Sequence, residues 1–302
     1  MEGKTLNSIL ITIIIILFLS IYWFIPYDTT EFNTSSNSNF SINASENNTL
    51  QFYSNMRFPE ANISYKIERC PLKKENDMQW AFDIIENETI LNFYQVNYEQ
   101  EITITCEDTN RFEGDLFIAG EGGPTNITIA GDFNIIESGK ILLIRDSLCE
   151  RPNVPIHELL HVLGFDHSKN SKNIMFEISK CEQTIGDDII DFINEIYSIP
   201  SQPDLLFENA SAFMHGKYLD INFSIRNNGL KSSEESVVKI IVDGKEVKSI
   251  DVPSIEIGYG REVYMTNIWI KQISVQNVEF IIENDFEELN KINNNVAFEI
   301  KK

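Results

Sequence analysis

The feature that most restricts this chain is the run HELLHVLGFDH, from His157 to His167. Only 4 histidines occur in 302 residues, and three of them fall inside this run. His157 and His161 are four positions apart, so a helix projects both from one face, where they can share one metal ion. Imidazole nitrogen suits Zn2+, and an open catalytic site takes three protein ligands and leaves one position free. Glu158 adjoins the first histidine, placed to take a proton from water. Gly164 can adopt the left-handed conformation that ends a helix, and the chain turned back there brings His167 round as a third ligand. Buried imidazoles on an apolar helix with no metal would be costly to desolvate. The spacing therefore predicts a helix over VPIHELLHVLG, with Pro155 near its first turn and Gly164 at its end.

Around this helix the sequence alternates between strand and helix patterns. ISYKI reads as a strand, MQWAFDIIENET as a helix and EITITC as a second strand. Gly120, Gly122, Gly123 and Pro124 read as a loop, followed by the strand-like stretches TNITIAG and KILLI. TIGDDIIDFINEIY is another helix, with Asp187 and Asp188 near its N-terminal dipole. These elements predict an α+β (α/β) domain with a mixed sheet over residues 56–200, with order beginning near Asn62. Pro200 and Pro203 bracket a linker. Beyond it, over residues 201–302, helical periodicity disappears. YLDINFSIRNNG puts Leu219, Ile221, Phe223 and Ile225 on one face, and VVKIIVDGKEV reads as a hairpin whose Asp243-Gly244 pair suits a type I′ turn. Short strands and turns alone predict an all-β, immunoglobulin-like sandwich.

The N-terminal end has a different composition. Residues 6–26 form an apolar stretch near the length needed to span a bilayer as a helix, with Tyr22 and Trp23 as interfacial aromatics. Lys4 before it, and Asp28 and Glu31 after it, place residues 1–5 in the cytoplasm and the remainder outside. Secretion after cleavage near Tyr27 is the rival, against which the bulky stretch YWFIPY stands. Residues 27–55, dominated by Asn, Ser and Thr, read as a flexible stalk. Nine N-x-S/T sequons begin at Asn33, Asn39, Asn43, Asn47, Asn62, Asn87, Asn126, Asn209 and Asn222, consistent with glycosylation outside the cell. The 4 cysteines form no C-x-x-C pair, and in an oxidising compartment two disulfides are the default, with three pairings open. The favoured pairing joins Cys149 to Cys181, clipping the ends of the active-site segment, and Cys70 to Cys106.

A net charge of -22 argues against nucleic-acid binding, which needs clustered Lys and Arg. An acidic surface mainly confers solubility, with some attraction for Ca2+.

His157, Glu158, His161, Gly164 and His167 match every fixed position of the metzincin motif HExxHxxGxxH, and Met175 follows His167 by eight residues, with Ser168 directly after the third histidine. In these features the chain resembles the matrixin branch of the metzincin zinc peptidases. The resemblance implies His157, His161 and His167 as zinc ligands, Glu158 as general base, Met175 as a hydrophobic floor beneath the metal, and a peptide substrate extended along an edge strand between Gly123 and Ile144. It also admits calcium in acidic loops. Phe176 and Glu177 depart from the usual Tyr and Pro, and with only His215 remaining no second zinc site is expected. Cys70 follows the first strand, so it does not read as a latency cysteine. PDLLFENA, RNNG, VDGKEV and FEELNKINNN together resemble CARDB modules, immunoglobulin-like domains of prokaryotic surface proteins. The expected whole is a membrane-anchored, outward-facing zinc endopeptidase acting on protein or peptide substrates, its C-terminal domain a spacer or a module that binds envelope components. The alternative is a surface adhesion or scaffolding protein whose metal site is vestigial or structural.

Overall fold

The computed structural model describes residues 13–17, 30–35 and 50–300, apart from positions 110, 114, 115, 147, 148 and 273. Its strands, in chain order, begin with β1 (Thr30–Ser35), β2 (Met56–Arg57), β3 (Asn62–Glu68), β4 (Asn92–Gln95) and β5 (Ile102–Cys106). A small hairpin of β6 (Arg111–Glu113) and β7 (Leu116–Ile118) precedes the long hairpin of β8 (Gly120–Ala130) and β9 (Phe133–Leu143). Three helices serve the first domain: α1 (Leu72–Glu88), α2 (Asn153–Val162) and α3 (Asp187–Ser198).

The first domain is a mixed sheet in the order β2-β9-β5-β3-β4, with β8 on the far side of β9. β2, β9, β5, β3 and β4 pair in parallel, while β8 runs antiparallel to β9 and pairs with no other strand among the described residues. α1 covers the sheet with Met78, Ala81, Phe82 and Ile85, a stripe at helical spacing. α2 is buried on every side, its polar Asn153, His157, Glu158 and His161 included. α3 turns Ile189, Ile193 and Ile196 inward, and its first turn carries Asp187 and Asp188, which favour the positive end of the helix dipole. Arg57, 1% exposed, holds the start of the sheet to the end of α3. Its guanidinium donates to the carbonyls of Pro59, Ile196 and Ile199, two of them belonging to the otherwise unsatisfied end of the helix.

The second domain comprises β10 (Leu205–His215), β11 (Tyr218–Asn227), β12 (Ser236–Val242), β13 (Lys245–Val252), β14 (Gly260–Trp269), β15 (Asn277–Glu283) and β16 (Asn295–Ile300). β14, β11 and β10 form one antiparallel sheet and β13, β12, β15 and β16 the other, with a shared apolar core. Leu219, Ile221, Phe223 and Ile225 all face that core, as their alternation predicts. Asp243 and Gly244 both have positive φ, 46° and 75°, as a type I′ turn requires. The domains meet where the tip of the β8–β9 hairpin packs Ala130, Phe133 and Ile135 against Leu230, with Ile257 and Leu289 alongside.

Three expectations change. Gly120 to Pro124, read as a loop, opens strand β8; the glycines there serve close packing, described below. Order begins before Asn62, because residues 50–55 pack onto the first domain, with Gln51 and Asn55 buried. Within the supposed flexible stalk, β1 pairs with β10 on one side and β16 on the other, so it links the two sheets of the second domain. Composition missed this because strand pairing satisfies the backbone whatever the side chains. The expected anchor at residues 6–26 lies outside the described residues except for helical residues 13–17. Among the described residues no helix is long and apolar enough to cross a membrane.

Candidate metal centre

Helix α2 presents His157, Glu158 and His161, all buried. It ends at Val162 with Leu163 as its C-cap, and Gly164 follows with φ 96°, the left-handed turn its motif position predicted. The chain then doubles back to His167. The three Nε2 atoms converge: His157 to His161 is 3.0 Å, His161 to His167 3.2 Å and His167 to His157 3.3 Å. Donors at about 2.0–2.1 Å from a tetrahedral Zn2+ lie roughly 3.3 Å apart, so the triangle fits that ion.

The other ring nitrogens fix which atoms face inward. His157 Nδ1 donates to the Ile174 carbonyl at 2.7 Å, and His161 Nδ1 donates to the Phe165 carbonyl at 2.8 Å. With the proton on Nδ1, each Nε2 offers a lone pair to the common point. Three inward lone pairs repel one another unless a cation lies between them, and no other group of three or more histidine, cysteine or acidic side chains converges among the described residues. Burial also favours the neutral rings: it lowers the His157 pKa, and it brings His161 down to about 4, with His157 adding to the effect.

Met175 is 1% exposed in a turn that serves two histidines. Its carbonyl accepts the N–H of Ser168 at 2.8 Å, holding the chain just after His167, while its neighbour Ile174 holds His157. Asn173, buried, shapes this turn by accepting the Met175 N–H at 2.8 Å. Nothing in the local sequence signals its part beyond its being a turn-forming residue.

Glu158 points from α2 toward strand β8. Burial pushes its carboxyl up to about 8, with the charge of Glu121 contributing, and among the described residues no cation pairs with it. The glycines of β8 allow this arrangement. A Cβ on Gly122 would lie 2.3 Å from the Glu158 carbonyl oxygen, and one on Gly120 would lie 2.8 Å from the Glu158 Cγ. Glycine inside a strand marks close backbone approach, and that signal was available in the sequence.

Of the four cysteines, Cys70 is bonded to Cys106 and Cys149 to Cys181. The second bridge links the approach to α2 with the segment after the Met175 turn. Phe176 is half-buried and Glu177 exposed beyond that turn. His215 stands apart in β10, its Nδ1 3.4 Å from Asp220.

A helix-borne HExxH, a glycine turn returning a third histidine, a methionine turn below, and a sheet with one antiparallel edge beside the helix define the metzincin class of metallopeptidase domains. Within it, residues 57–198 match the family model for Matrixin, and residues 202–298 match that for CARDB, so the chain joins a matrixin domain to a CARDB domain. Among solved structures, the CARDB domain of a Pyrococcus furiosus protein, crystallised in complex with di-metal ions, is similar at 18% identity. The match covers 33% of this chain and 88% of that one, with a TM-score of 0.28. Among curated proteins none matches.

Proposed function

We propose that the protein is a zinc-dependent endopeptidase, anchored in the membrane by residues 6–26, that hydrolyses protein or peptide substrates outside the cytoplasm. The observation that carries the catalytic part is the convergence of three Nε2 atoms within 3.3 Å, two of them fixed by backbone acceptors on Nδ1. His157, His161 and His167 would hold the zinc. Once bound, Zn2+ supplies Lewis acidity, lowering the pKa of a water toward about 7 and polarising a carbonyl.

The remaining work falls to the chain. The Glu158 carboxylate takes the proton of the attacking water and passes it to the leaving amine nitrogen. With a dication held by the three histidines, the Glu158 carboxyl would favour its ionised form despite its burial. Strand β8, which among the described residues pairs only with β9, offers backbone N–H and C=O groups to an extended peptide laid beside it. Gly120 and Gly122 let the strand lie directly against Glu158. Met175 packs beneath the histidines and keeps the turn rigid. Any calcium sites lie in acidic loops, apart from the zinc.

The anchor reading rests on the apolar run and its flanking charges, and the external address on the paired cysteines and sequons. The CARDB domain, packed against the β8–β9 tip, serves as a brace and spacer, and its exposed face is available to envelope components.

The test is metal content and hydrolysis together. About one zinc per chain, lost in His161→Ala, with peptide hydrolysis lost and zinc kept in Glu158→Gln, is the expected result. Folded wild-type protein without zinc would overturn the peptidase reading and leave an adhesion or scaffolding role.

A further inference from the structure

The metal centre leans on a turn that has no regular structure of its own. Residues 164–166 carry the Phe165 carbonyl that orients His161, and Asp166 Oδ1 accepts the backbone N–H of His167 at 2.7 Å. The turn hinges on Gly164, the residue type that holds its conformation least firmly. Its outer support comes from far away in sequence. Phe52 N–H donates to the Gly164 carbonyl at 2.9 Å, and Asp166 N–H donates to the Leu50 carbonyl at 2.8 Å, so Gln51 and Phe165 form an antiparallel bridge.

Two side chains complete this strap. Gln51, 7% exposed, donates its Nε2 to the Met56 carbonyl at 2.8 Å and accepts the Met56 N–H at 2.9 Å. It thereby closes a loop that ties the strap to β2. The Phe52 ring stacks on the His161 imidazole, with centroids 5.7 Å apart and planes inclined by 21°. Residues 50–52 lie outside the span that matches the Matrixin model. The composition of this region gave no hint of such a role.

We propose that residues 50–52 are a built part of the metal centre and that Phe52 is a positioning residue for His161, setting how long the metal is held. The inference rests on the zinc reading above. Outer partners of metal-bound histidines fix ring orientation, and losing one costs roughly 10-fold or more in metal retention. The strap holds both the ring, by stacking, and the ring's carbonyl partner, by the bridge.

The experiment uses the full chain loaded with zinc and mixed with excess chelator, reading the rate of metal release. Phe52→Ala should release zinc about 10-fold faster than wild type, Phe52→Tyr at the wild-type rate, and all three should unfold alike when metal-free. Gln51→Ala, which loosens the strap and leaves the ring, should also release faster. Wild-type release rates in Phe52→Ala and Gln51→Ala, or a Tyr variant as fast as the Ala variant, would overturn the proposal while leaving the zinc reading intact. Wild-type protein that takes up no zinc would instead bring down the peptidase reading itself.

Discussion

The two domains bury polar groups in opposite ways. In the CARDB domain the buried Glu288 is bound on all sides: it accepts the Leu205 N–H and the side-chain amides of Asn284 and Asn294, each at 2.6 Å. It is a fastener between chain segments. In the matrixin domain Glu158 is equally buried but has no cation or fastening role among the described residues, and its carboxyl is pushed up to about 8. A buried carboxyl that fastens nothing and lies beside the three converging histidines is the kind of group that marks a functional site, and it is the one the proposed mechanism uses.

That contrast is broken most directly at its two extremes. Glu158→Gln keeps the shape of the side chain and removes its basicity, so hydrolysis should fall by about 10²–10⁴-fold while zinc content stays at one per chain. Peptidase assays beside metal analysis check this, and activity surviving the change would remove Glu158 from the mechanism. Phe223→Ala, in the CARDB core where the ring is 0% exposed, should do the reverse. It should cost about 3–5 kcal/mol of stability in urea unfolding and leave zinc release unchanged. A parallel loss of zinc would show that the domains are coupled more tightly than their separate cores imply.

The seam between them sharpens the comparison. Leu230 is the CARDB residue against which Ala130, Phe133 and Ile135 of the edge hairpin pack, and it is 0% exposed. Leu230→Ala should destabilise the protein by about 2–3 kcal/mol, at the lower end of such truncations because the seam can partly close. If the CARDB domain braces strand β8, KM for an extended peptide should rise as well. An unchanged KM in the folded variant would make the seam a mere linker contact.

How much of this was legible in the sequence differs by region for physical reasons. The histidines, Gly164 and the VDGKEV turn were readable because their geometry is local: helical spacing and positive φ are written in a few adjacent residues. So were the faces of β11, because alternation carries burial directly. What was hidden depends on distant contacts. Gln51 and Phe52 meet the turn after α2 across more than a hundred positions, and β1 gains its partners from both ends of another domain. Gly120 and Gly122 show the intermediate case. Their glycines were visible, but whether glycine means a loop or a strand pressed against a helix is decided by the helix, which the local sequence does not contain.

The smallest effect tests the fastening side of the contrast. Asp204, at the start of the CARDB domain, is buried, and burial raises its pKa to about 6, with the charge of Glu288 adding to the effect. Its Oδ1 accepts the amide of Asn293 at 2.9 Å. The native state therefore binds more protons than the unfolded state between about pH 4 and pH 6. Stability from this group is fully present below that window and is lost as pH rises through about 6. Asp204→Asn keeps the acceptor oxygen for Asn293 and removes the buried charge. It should flatten the pH dependence of stability between pH 4 and 6 and raise stability at pH 7 by about 1 kcal/mol, allowing for partial solvent screening. Urea unfolding of both proteins at pH 4, 5, 6 and 7 reads this directly. Parallel profiles would mean that the partners of Asp204 compensate its burial, as the three hydrogen bonds of Glu288 hold that side chain.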